Sequence, residues 1–107
     1  MSFLAIDAQK CLFMLQRNQL QFEQTLVMSD ANAIARQIEE YAQAKGDGYD
    51  LESDSEYIAL QEAEEQLETE QDSLDTQIQL LDTEINNLKS MVQNNIKNNC
   101  SLNLVGG

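Results

Sequence analysis

The chain contains no proline, and its 4 glycines fall at only two places, Gly46 with Gly48 in the middle and Gly106 with Gly107 at the end. Proline is the strongest helix breaker and glycine the next. The segments between these points are rich in Ala, Leu, Gln and Glu, so nothing there compels a helix to stop. The pattern predicts helices over 3–45 and 54–98, an acidic turn over 46–53 and a flexible tail over 99–107, all one domain. At ~1.5 Å rise per residue each helix would run roughly 60–70 Å. Helices of that length belong to coiled coils more than to ordinary globular packing.

Local signals support the breaks. Ser53-Asp54-Ser55-Glu56 fits a capping box, with Ser53 accepting from the Glu56 N–H. Asp54 and Glu56 suit the positive end of the second helix, and Lys89 and Lys97 lie toward its negative end. Asn98-Asn99 offers a stop. In the first helix, Ser29-Asp30-Ala31-Asn32 is a weak point that would allow a kink or a new cap, but a continuous helix through it is the expectation.

The second helix has an explicit seven-residue repeat. With Ile78, Ile85 and Val92 at heptad position a, Leu60, Leu67, Leu74, Leu81 and Leu88 all fall at d. Tyr57 takes the first a position, while Glu64 and Gln71 occupy a where an apolar residue belongs. The expected seam comprises Leu67, Leu74, Ile78, Leu81, Ile85 and Leu88.

Charge decides what this seam packs against. The net charge is −13, but residues 1–45 hold 5 acids and 4 bases, whereas 46–88 hold 14 acids and no base. A parallel pairing of the second helix with its own copy would set Glu64 against Glu64 and Glu70 near Asp75, which like-charge repulsion disfavours. An antiparallel hairpin instead lays the acidic start of helix two beside Arg36 and Lys45. Ile34, Ile38 and Tyr41 supply the apolar edge there, and short connections join antiparallel neighbours. Facing residues then sum to about 99, which sets Cys11 opposite Leu88. Cys100 is displaced from Cys11 by ~18 Å along the axis, which argues against a disulfide between them.

Helix one carries more apolar surface than a hairpin seam covers. Cys11 to Leu15 wraps more than a full turn, and Leu26-Val27-Met28 repeats the effect. Leu12, Phe13, Leu15, Phe22, Leu26 and Met28 are the expected interaction residues. They point to an all-α dimer of hairpins, a four-helix bundle, or to a contact with another helical protein.

Little chemistry is available. With no histidine, catalytic triads, Glu-x-x-His metal pairs and the usual near-neutral proton carrier are absent. Asp47, Asp50, Glu52 and Asp54 do not follow the EF-hand spacing and read as a solvated acidic turn. Glu64 reads as a polar core position. We therefore expect no enzyme activity, no metal and no cofactor. Six basic residues against 19 acids also argue against nucleic-acid partners. The longest apolar run, Cys11 to Leu15, is far too short for a membrane span, and Asp7 interrupts the apolar start without basic residues before it. The expected location is cytoplasmic, with signal-less export left open.

Some short or coarse resemblances bear on function. Leu104-Val105-Gly106-Gly107 resembles the Gly-Gly tail of ubiquitin-like modifiers over four residues, which implies conjugation through the terminal carboxylate. It is also similar to the acidic helical prokaryotic modifier, whose tail instead ends in Gln or Glu after the glycines. The hairpin resembles small secreted proteins of the WXG type in size, but its turn, Gly46-Asp47-Gly48-Tyr49, has no Trp-x-Gly. Type III needle subunits are similar hairpins with a proline-bearing turn, absent here. The leading expectation is a non-enzymatic coiled-coil module that self-associates through helix one. The alternatives are a secretion-linked hairpin, either substrate or acidic export chaperone, and a conjugated modifier.

Overall fold

The structure, a computed structural model, describes residues 2–106, and the side chains of residues 2–94. Two long helices pack as an antiparallel hairpin, with no strand among the described residues. Helix α1 spans Phe3–Lys45, a single 3-10 turn spans Leu51–Ser53, and helix α2 spans Ser55–Gly106.

Each helix end has a local cause. Ser2 Oγ accepts the Ala5 N–H at 3.2 Å, capping the start of α1. At its other end, Gly46 takes φ +79°, and its N–H closes on the Ala42 carbonyl at 3.3 Å. Only glycine adopts that left-handed conformation without strain, so Gly46 terminates the helix. Between them α1 runs unbroken through Ser29-Asp30-Ala31-Asn32, where the sequence would also have allowed a kink. The α-helical geometry of α2 continues past Asn98-Asn99, so these residues do not act as the expected stop and the expected tail is helical as far as Gly106.

The chain divides into two units, one made of Met1–Gln21 with Thr76–Gly107 and the other of Phe22–Asp75. The first unit holds most of the buried apolar side chains. Ile6, Leu88 and Val92 form its core cluster, Phe13 packs against them, and Ile78 and Ile85 are also buried. Burying an isoleucine fully stabilises by roughly 1.5–3 kcal/mol, and Ile6 and Ile85 are each only 1% exposed. In the second unit Leu74 is buried, while Ile34, Ile38, Leu60 and Leu67 are half-buried. Alanine and polar side chains at Ala31, Ala63, Glu64 and Gln71 share its inward line and leave it more thinly filled.

Candidate interaction surface

Two polar contacts define the hairpin register. In the first unit, Arg17 Nη1 donates to Asp82 Oδ1 at 3.1 Å. In the second, Gln24 Nε2 donates to Asp75 Oδ1 at 2.8 Å. The residue numbers of both pairs sum to 99, the register that the acidic turn and the charge distribution predict.

Inward positions on α2 follow its heptads. Leu74, Ile78, Ile85, Leu88 and Val92 are buried, and Tyr57, Leu60, Glu64, Leu67, Gln71 and Leu81 are half-buried. Glu64 thus lies on the inward line. The matching line of α1 was not evident from its sequence. Ile6, Phe13, Leu20, Val27, Ile34 and Tyr41 recur every seven residues, and all are buried or half-buried. Lys10, Arg17, Gln24 and Ala31 alternate with them and are half-buried as well. An amphipathic count misses such a line because every second step is polar or small. The long stems of Lys10 and Arg17 can still cover apolar surface while their charged heads reach outward. Arg17 does so at the expense of its Nε, which is buried with no hydrogen-bond partner.

This line changes the reading of one expected interaction residue. Phe13 belongs to the hairpin interior, packed against Ile6, Leu88 and Val92, and not to the outward surface. Its place in the helical repeat, seven residues after Ile6, turns it inward. The other five differ from it: Leu12, Leu15, Phe22, Leu26 and Met28 are each at least 50% exposed. Leu12 and Leu15 lie in the first unit and Phe22, Leu26 and Met28 in the second. Cys11 is exposed beside Leu12 and free. The side chain of Cys100 lies outside the described residues, and with it the question of a bridge.

The turn is held by a cluster that the sequence reading assigned differently. Asp54, not Ser53, caps α2: its Oδ1 accepts the N–H groups of Glu56 at 2.9 Å and Tyr57 at 3.0 Å. Tyr49 Oη donates to Asp54 at 2.6 Å and Tyr41 Oη at 2.8 Å. Ser53 is drawn away by its own hydrogen bond to Asp50 at 2.7 Å. Lys45 Nζ sits 5.2 and 5.1 Å from the ring centres of Tyr41 and Tyr49, within cation–π range. The hydrogen bonds from Tyr49, the Tyr57 N–H and Tyr41 hold the Asp54 carboxyl at about 2, below its usual 3.8. Partial burial and the bond to Asp54 push the Tyr41 phenol up, and the bond to the same carboxylate pushes Tyr49 up. This cluster joins the end of α1 to the start of α2 and leaves Asp54 fully occupied as an acceptor.

Beside the seam of the second unit runs an open groove of about 420 Å³, where Ala33 and Ile34 face Ala63 and Leu67. Among the described residues there is no group of three His, Cys, Asp or Glu side chains placed to hold a metal ion. No helix among the described residues is long and apolar enough to cross a membrane. Comparison with protein families, curated proteins and solved structures found no match to this chain. The residues themselves therefore carry the functional argument.

Proposed function

We propose that this chain is a non-enzymatic coiled-coil hairpin that serves as an assembly or interaction module and associates with its own copy through the outward side of α1. One observation carries the reading: Leu12, Leu15, Phe22, Leu26 and Met28 are at least 50% exposed, although the hairpin seam is supplied by a different set of α1 residues. Exposed apolar side chains grouped on a helix are a common mark of protein contacts. Charge adds to this. From residue 11 to residue 29 the only charged side chains are Arg17 and Glu23, and Arg17 is engaged with Asp82. A second copy meets least repulsion there.

The reading is tested by solution mass from light scattering over a wide concentration range. The chain should populate a dimer, and Leu15→Asp combined with Phe22→Asp should give monomer with helix content unchanged by circular dichroism. A chain that remains monomeric at high concentration overturns the reading. If it then gains helix stability only with another protein, an export-chaperone role replaces it.

A further inference from the structure

We infer that the groove of the second unit, between its parts of α1 and α2, is a docking site for a basic amphipathic helix of another protein. Ala33 and Ile34 on one wall and Ala63 and Leu67 on the other are half-buried, so the hairpin leaves a strip of apolar surface here only partly covered. From Ala63 to Glu70 the groove runs ~10 Å, the length of two helical turns. Alanine on both walls lets a third helix come close, since helix axes pack ~8–10 Å apart according to the side chains between them.

Charge selects the occupant. Asp30 on the α1 wall and Glu70 on the α2 wall flank the groove at nearly one height, their numbers summing to 100 beside the 99 of Gln24 with Asp75. Glu62 and Glu65 line the adjoining surface of α2, which shares Gln66 and Glu70 with the groove. All four carboxylates are exposed, and none is in an ion pair among the described residues. Residues 22–75 hold 16 acidic and 2 basic side chains, a net −14, and the two bases stand elsewhere. Lys45 lies over the Tyr41 and Tyr49 rings, and Arg36 lines a separate stretch of α1 with Met28 and Asn32. An apolar strip rimmed by such carboxylates fits a helix with a two-turn apolar face and Lys or Arg on both of its edges. A second copy is disfavoured there, because its matching segment carries the same net −14.

The probe is a synthetic peptide of about 18 residues, long enough to hold a helix, with leucines three and four apart and lysines on either side of them. Titrated against the full chain by fluorescence anisotropy, it should bind at least about tenfold tighter than a scrambled peptide of the same composition. Asp30→Lys combined with Glu70→Lys should weaken binding by about tenfold or more. Asp47→Lys combined with Glu52→Lys, the same charge reversal in the turn, should change it by less than about threefold. All four positions are exposed, and circular dichroism checks that the hairpin is intact. Equal binding of the scrambled peptide, or equal losses from the two reversals, overturns the groove and leaves only a general attraction to an acidic chain. Binding should persist in the chain carrying Leu15→Asp and Phe22→Asp, which separates this site from self-association. Its loss there would put the peptide on the outward side of α1 and overturn the groove as well.

Discussion

Arg17 of α1 reaches Asp82 of α2 at 3.1 Å from within the hairpin seam, where an apolar residue would ordinarily stand. The pair is partly exposed, with side chains 23% and 46% accessible, so solvent screens it. Its role is to favour one register, since a slip by one residue separates the charges. We expect Asp82→Ala to lower stability by no more than about 1 kcal/mol. Arg17→Leu should be neutral or stabilising, because it removes the unpartnered Nε and fills the seam. Urea denaturation of both variants measures this, and a loss above about 2 kcal/mol for Arg17→Leu would show that the guanidinium is structurally required.

Two phenylalanines should separate the interior from the outward surface. Phe13→Asp places a carboxylate against Ile6, Leu88 and Val92 and should cost about 3 kcal/mol or more, with visible loss of helix content. Phe22→Asp, at a site 65% exposed, should leave the melting curve of the isolated hairpin nearly unchanged and act on self-association. Thermal melts at low protein concentration, paired with light scattering at high concentration, read the two effects separately.

Core truncations should be graded along α2. Ile85 is 1% exposed, and Ile85→Ala should cost ~2–5 kcal/mol. Leu67 is half-buried beside an open groove, so Leu67→Ala should cost less than half as much. Equal losses in urea denaturation would contradict the difference in packing between the two units.

Acid should loosen the turn within a defined window. The Asp54 carboxyl is held at about 2 against an ordinary 3.8, so its folded form is the weaker binder of protons. A depressed folded value contributes stability that is complete above about pH 4 and is lost as pH falls toward 2. Carbon-detected NMR titration should place the Asp54 midpoint near 2, and Asp54→Asn should remove this part of the pH dependence. A midpoint near 4 would mean that the tyrosine hydroxyls do not hold the carboxylate in solution.

Gly46 should resist substitution for backbone reasons alone. No atom lies within 4 Å of where a Cβ would stand, yet φ is +79°. Gly46→Ala should therefore cost about 1 kcal/mol, with Gly46→Asn costing less because asparagine tolerates the left-handed region. Chemical denaturation of the two variants checks the order.

Much of the fold was legible because its determinants are local or periodic. Residues 3–45 emerge as one helix from the absence of proline and the stop at Gly46. The register of 99 follows from the turn position and from the acidic start of α2 facing Arg36 and Lys45. The inward line of α1 was hidden because Lys10, Arg17 and Gln24 interrupt it, and their suitability depends on what α2 places opposite. That same gap led Phe13 to be read as outward. The cap went to Ser53 because Ser-x-x-Glu is a local pattern. Asp54 takes that role through two tyrosines, one of which, Tyr41, comes from the preceding helix, and no short window of sequence shows that convergence.

The contacts of Arg17 with Asp82 and of Gln24 with Asp75 are one motif repeated a heptad apart on both helices. A hairpin built this way is extensible. Inserting seven residues into α1 and seven at the matching height of α2 would lengthen it by about 10 Å while returning every seam residue to its partner. Inserting seven into one helix alone would shift all contacts beyond that point by a full repeat. The reach of such a protein is thus set in steps, and paired insertions or deletions of seven are the length changes that its seam can absorb.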